Sequence, residues 1–314
     1  MHSLLRKFFL IAMMGVFAVM VTGCSRYWDL AKIGGRNLVY GLQNPVHSPA
    51  AKMKVPSSGN PENHQIYAGW IGHSTVYLSF AGTQVLTDPN FSSRVKIARR
   101  LVGLPIEPEE IKNLQLILIS HSHYDHLDLP SLKRLPKEAL VVIPPGCRDL
   151  VEGLGFAGIV ELGWNERFIF QDLEIEAFKP THWGRRSPFD DKDRQYNAYF
   201  LTKEGKTILF AGDTGYSKSF AEKSGGRKIL LSFLPITAYK PEWFRQNHTN
   251  PEEALQIFLE TGSQFMIPIH WGTFILSHEP IDEPLKRLNK EAARLGIEKR
   301  VIILRHGESF TVPD

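Results

Sequence analysis

Short apolar runs alternate along the chain with turn-forming and polar residues, at positions 75–80, 84–87, 114–119, 139–143, 173–178, 198–201, 207–210, 229–234, 265–269 and 301–304. Runs of four to six residues between turn signals have the size of buried strands. Helices fall between some of them. The clearest spans 251–261, with Asn250 as N-cap, Pro251 at the first helical position, Glu252 and Glu253 in the first turn and Gly262 as the stop. Others are expected over 131–134, after Asp128, and over 284–294. Many strands with fewer helices predict an α+β protein in which two packed, mixed sheets carry helices on their outer faces.

The first sixty residues break this pattern. Gly34-Gly35, Pro45, Pro49, Pro56 and Ser57-Ser58-Gly59 occur without steady periodicity, which predicts a linker over 24–60 containing one short helix, ahead of a globular domain over 61–314. Ahead of the linker, Arg6 and Lys7 precede an apolar stretch over 8–20 that is shorter than the roughly 20 residues a membrane span needs. The stretch ends in Val21-Thr22-Gly23-Cys24, which resembles the bacterial lipobox. Residues 1–23 therefore read as a lipoprotein signal peptide, and Cys24 as the lipidated N-terminus of the mature chain. Because Ser25 and not aspartate follows, the resemblance implies a cell-envelope protein anchored by lipid at the outer membrane, facing the periplasm.

Composition narrows the function. With 43% hydrophobic and 22% charged residues the chain can build a sizeable core, and removing Arg6 and Lys7 leaves 35 basic against 33 acidic residues. Such a balance gives no electrostatic case for nucleic acid. Only Cys24 and Cys147 are present, so a lipidated Cys24 leaves Cys147 without a disulfide partner and with a structural role.

The candidate chemistry lies in His121-Ser122-His123-Tyr124-Asp125-His126, directly after the apolar run 114–119. Imidazole and carboxylate are donors that suit zinc, and a loop at a strand end can turn several of them toward one point. His182, Asp213 and His270 also stand at the ends of strand-like runs, bringing the tally to seven. Seven donors are too many for one zinc and suit two metals that share a carboxylate.

The order His-x-His-x-Asp-His, then His, then Gly-Asp, then His resembles the metallo-β-lactamase superfamily from about residue 65 to the end. Gly72-His73-Ser74-Thr75, Thr87-Asp88-Pro89, Leu234-Pro235-Ile236-Thr237-Ala238-Tyr239, His248-Thr249-Asn250-Pro251-Glu252-Glu253-Ala254 and Ile269-His270-Trp271-Gly272-Thr273-Phe274 resemble its N-acyl phosphatidylethanolamine phospholipase D branch. The resemblance implies an αββα four-layer sandwich with 61–314 as the hydrolase domain. It assigns His121, His123 and His182 to one Zn2+, Asp125, His126 and His270 to a second, and Asp213 as the bridge. Fe or Mn suits the same donors.

The expected reaction is attack by an ionised water between the two metals on a phospholipid phosphodiester, with Asp125 and Asp213 sharing in catalysis. His248 either meets substrate and protonates the leaving group or lies on the surface. Asp88 either holds a ligand histidine or forms the turn before Pro89, and His73 either faces the site or supports the sheet edge. Arg185 and Arg186 read as guides for an anionic substrate or as loop charges, and Trp183, Tyr239, Trp243 and Phe244 as an apolar rim or as core. Two alternatives remain: a hydrolase or lactonase of a small soluble ester, and a metal-binding envelope lipoprotein without catalysis.

Overall fold

A computed structural model describes residues 28–37, 39–41, 43–55, 66–187 and 189–313. The expected signal peptide, Cys24 and the segment 56–65 lie outside the described residues. The chain divides into two compact units between Pro45 and Val46. In the first, the backbone is helical over 28–37 and 39–41. The second begins earlier than the expected residue 61, because the stretch 46–55 is bonded into it. His47 N–H donates to Leu101 C=O at 2.8 Å, Met53 N–H donates to Pro105 C=O at 3.0 Å, and the Met53 side chain joins a core cluster.

Fifteen strands are described: β1 (Ile66–Gly72), β2 (Thr75–Phe80), β3 (Thr83–Thr87), β4 (Arg94–Val95), β5 (Ala98–Arg99), β6 (Leu116–Leu118), β7 (Leu140–Ile143), β8 (Gly158–Glu161), β9 (Arg167–Phe170), β10 (Leu173–Phe178), β11 (Ala198–Lys203), β12 (Lys206–Phe210), β13 (Lys228–Pro235), β14 (Phe265–Ile269) and β15 (Ser309–Thr311). One sheet has the order β15-β1-β2-β3-β6-β7-β8, another β14-β13-β12-β11-β10-β9, and β4 with β5 forms a small hairpin. Strands β3, β6, β7 and β8 run parallel, as do β12, β13 and β14. Both sheets are thus mixed.

Side-chain alternation sorts the first sheet into two faces. Trp70, Val76, Leu116, Leu118 and Val142 enter one cluster with residues of the second sheet, whereas Ile71, Tyr77, Ile117, Ile119, Val141 and Ile143 enter another. That other cluster includes Leu132 of the helix Leu129–Arg134 and Val151 of the helix Arg148–Val151. The helices Pro251–Glu260 and Glu283–Leu295 contribute Leu255, Phe258 and Leu288 to the cluster that holds the second sheet. The four-layer expectation describes this arrangement.

Local signals account for the helix starts. Asn250 Oδ1 accepts from Glu253 N–H at 2.9 Å within a reciprocal capping box, and Asp128 Oδ2 accepts from Ser131 N–H at 3.0 Å. The expected strand over 301–304 does not form: Val301 makes a single bridge to Met266, and the chain then returns to the first sheet as β15. Its apolar residues reflect core packing without a ladder.

Candidate metal centre

Each predicted ligand sits where a strand stops. The 120–126 loop leaves β6, His182 follows β10, Asp213 follows β12 and His270 follows β14. Parallel strands deliver their C-terminal ends to one rim of a sheet, and loops there are free to converge.

Three imidazoles meet first. His123 Nδ1 lies 2.8 Å from His121 Nε2 and 3.3 Å from His182 Nε2. A second group joins His73, Asp125, His126 and His270, with Asp125 Oδ2 3.4 Å from His126 Nε2 and 3.5 Å from His270 Nε2. Asp213 Oδ2 approaches His126 Nε2 and His270 Nε2, each at 3.2 Å, and His248 Nε2 at 3.5 Å. His182, Asp213 and His248 form a further cluster of potential donors, so Asp213 is common ground between the groups. All seven sequence-predicted ligands come together, and His73 and His248 join them.

Charge divides the centre in two. Burial holds His121 and His182 well below the usual histidine range and brings His123 down to about 4, although Asp125 opposes the shift at His123. Burial also disfavours charge on His126 and His270, yet the nearby carboxylates outweigh it: Asp213, Asp125 and Asp88 push His126 well above its usual range, and Asp213 with Asp125 lifts His270 to about 9. For the two aspartates burial opposes ionisation, but His126 leads a set of contacts that holds both well below the usual carboxylate range.

An outer layer fixes which nitrogen faces inward. His126 Nδ1–H donates to Asp88 Oδ2 at 2.7 Å, His182 Nδ1–H to Asn247 C=O at 3.0 Å and His248 Nδ1–H to Phe244 C=O at 3.1 Å. Ser120 Oγ is 2.9 Å from His121 Nδ1, and Thr237 Oγ1 is 2.9 Å from His270 Nδ1. Asp88 also accepts from Ser120 N–H at 2.7 Å and adopts a positive φ of 33° before Pro89, so it both shapes the turn and braces the His126 ring. Ser120 and Thr237 escaped the sequence reading, although Ser120 adjoins His121 and Thr237 lies within the segment 234–239. The two carbonyls have no side-chain signal at all.

Contacts decide between the alternatives left open for the arginines and the aromatics. Arg186 is engaged within the protein: its Nη1–H groups donate to the carbonyls of Ser122 and Leu127, and its guanidinium lies 4.1 Å from the Tyr124 ring centroid. It ties down the ligand loop, whereas Arg185 is exposed. Tyr239 is buried and donates to Glu283 Oε1 at 3.1 Å, which removes it from any rim. Trp183 is 40% exposed and its ring centroid lies 4.8 Å from that of His123, so it does border the centre. Phe244 packs 5.9 Å from His248, with Trp243 against it at 4.2 Å. Gly184 has no room for a side chain, because a Cβ there would stand 2.0 Å from Arg194 C=O.

The residues fit a bound cation. Among the described residues Asp213 Oδ1 is buried without a hydrogen-bond partner, at a cost of roughly 1–3 kcal/mol for a buried polar group left unpaired, and His126 Nε2 and His270 Nε2 meet only the carboxylates of Asp125 and Asp213 at 3.2–3.5 Å. A tetrahedral zinc with bonds of about 2.0–2.1 Å spaces its ligands about 3.3 Å apart, close to the separations seen among His121, His123 and His182.

A two-sheet sandwich with outer helices and a histidine- and aspartate-rich centre at its strand ends defines the class. Residues 83–271 match the β-lactamase superfamily domain. A Saccharomyces cerevisiae protein named N-acyl-phosphatidylethanolamine-hydrolyzing phospholipase D, mitochondrial, is 33% identical over 270 residues, which are 81% of this chain and 57% of that protein. A Caenorhabditis elegans protein, N-acyl-phosphatidylethanolamine-hydrolyzing phospholipase D 1, is 30% identical over 252 residues, covering 73% of this chain and 68% of that one. The chain thus spans little more than half of the yeast relative. A solved metallo hydrolase from Ignicoccus hospitalis shares the fold with a TM-score of 0.62 at 19% identity, over 80% of this chain and 99% of that one. The chain belongs to the metallo-β-lactamase superfamily.

Proposed function

We propose that the chain is a metal-dependent hydrolase that cleaves a phosphodiester bond of N-acyl phosphatidylethanolamine or a related phospholipid at a pair of zinc ions. The observation that carries the reading is the convergence of seven donors on one buried centre, where Asp213 Oδ1 has no hydrogen-bond partner. Two phospholipid-hydrolysing relatives at about one-third identity or slightly less support the substrate class. His121, His123 and His182 would hold one ion and Asp125, His126 and His270 the other, with Asp213 shared. When bound, such cations polarise phosphoryl oxygens and lower the pKa of coordinated water, to about 7 for zinc in favourable sites.

The chain's own groups supply orientation and proton handling. Asp88, Ser120, Thr237 and the Asn247 carbonyl keep ligand nitrogens turned inward, which preorganises the centre. His248 donates through Nδ1–H to Phe244, so its Nε2 faces Asp213 and is the atom that exchanges a proton with the departing head-group oxygen. Trp183 and Phe244 offer apolar surface beside the centre for the lipid. In the net reaction water adds oxygen to phosphorus, the bond to the head-group oxygen breaks, and that oxygen takes a proton.

Anchoring through Cys24 at the outer membrane is part of the same proposal, supported by Arg6-Lys7, the apolar stretch 8–20 and Val21-Thr22-Gly23-Cys24. Zinc-loaded protein incubated with a phospholipid panel, and separately with soluble esters and lactones, tests the reaction. Release of phosphatidic acid from N-acyl phosphatidylethanolamine is expected. Turnover of soluble esters or lactones alone would replace the phospholipid reading.

A further inference from the structure

We propose that His73 is a positioning residue for the Asp125–His126–His270 half of the centre, holding one ligand by its side chain and another by its backbone. The inference rests on the two-ion reading above and goes beyond it.

His73 is 1% exposed, in the short connection from β1 to β2. The ring acts on Asp125. His73 Nε2–H donates to the carboxylate oxygen Oδ2 of Asp125 at 3.0 Å. The peptide acts on His270: His270 N–H donates to the His73 carbonyl at 3.0 Å, and the two ring centroids are 4.0 Å apart. One residue thereby sets the separation between ligands that lie 145 positions apart in the chain.

His73 is itself tightly held. Its N–H donates to Thr273 Oγ1 at 2.6 Å, and Trp70 Nε1–H donates to its carbonyl at 2.9 Å. Thr273 Oγ1 is further engaged by His306 Nε2 at 2.9 Å. The backbone at His73 has a φ of 55°, a left-handed conformation that a bare turn would fill with Gly or Asn. Histidine there combines that backbone with a ring long enough to reach Asp125. His121 and His182, in the other half, make no hydrogen bond with His73.

Two substitutions separate the side chain from the turn. Asn tolerates the left-handed backbone but is too short to span the distance to Asp125, while Gln restores length and an N–H donor. Zinc titration of the full chain, monitored by calorimetry and checked by metal analysis, should give two equivalents for the wild type. H73N should keep the first equivalent at wild-type affinity and bind the second about 10- to 100-fold more weakly, the usual cost of losing an outer partner. H73Q should recover part of the difference. Two wild-type-like equivalents in H73N, equal weakening of both, or no recovery in H73Q would each overturn the assignment. If H73N does not fold, folded H73Q must still hold two equivalents, and holding one would overturn it. A wild type that takes fewer than two ions would instead defeat the two-ion reading before any variant is compared.

Discussion

Asp88 Oδ2 lies 2.7 Å from His126 Nδ1, and both side chains are fully buried. The carboxylate also receives Ser120 N–H at 2.7 Å and Ser120 Oγ–H at 2.5 Å. Asp88→Ala would leave these donors unpaired, at roughly 1–3 kcal/mol for each buried group. Asp88→Asn keeps the volume but no longer offers a full carboxylate. The expected outcome is zinc affinity lower by about 10- to 100-fold in D88N, with a reduced unfolding midpoint as well in D88A. Metal titration and thermal denaturation check the two effects separately.

Asp213 touches His126, His270 and His248 through a single oxygen. Asp213→Ala is expected to abolish metal retention and hydrolysis together, because both halves of the centre would lose a carboxylate that offsets cationic charge. Metal analysis after gel filtration, run beside a phospholipid assay, would detect retention of either one, and retention of both would remove Asp213 as the shared ligand.

His248 is oriented by a backbone carbonyl and faces the centre with its other nitrogen. His248→Ala should therefore leave the metal content intact and lower turnover by about 100- to 10,000-fold, the range for general acid–base groups. Unchanged turnover would return His248 to a packing role.

Metal affinity should rise with pH. A bound cation needs neutral imidazole, whereas Asp213 and Asp125 outweigh burial and hold a proton on His270 up to about pH 9. Below that value binding displaces the proton, so the apparent affinity is expected to grow by about tenfold per pH unit for each proton released. The stability of the metal-free protein has the opposite sign. A raised pKa at His270 stabilises fully below 6.5, and this contribution is lost as pH rises through about 9. Affinity and unfolding midpoints measured between pH 6 and 9 test both directions.

Cys24→Ser should release an active protein from the membrane fraction, if the N-terminal segment is processed as its pattern implies. Fractionation with immunodetection and an activity assay gives the answer. Continued membrane association would point to an uncleaved apolar anchor.

Much of the architecture is written locally. The helix Pro251–Glu260 follows from Asn250, Pro251 and Glu253, whose hydrogen-bonding chemistry is complete within four residues. Strands β10 and β14 match their apolar runs at both ends, because a buried strand needs little beyond length and flanking turns. The dense set His121, His123, Asp125 and His126 likewise points to metal chemistry from the sequence alone, since so many donors in so few positions have few other uses.

Direction was decided only in three dimensions. Whether His73 and His248 joined the centre, and whether Arg186 served substrate or loop, depended on contacts with residues far away in the chain. The carbonyls of Asn247 and Phe244 orient two imidazoles, yet every residue has a carbonyl and no side-chain pattern marks which will be used. A linear chain records which groups are available and the local periodicities they obey. Packing the two sheets sets the distances and angles at which those groups meet, and coordination chemistry responds to these.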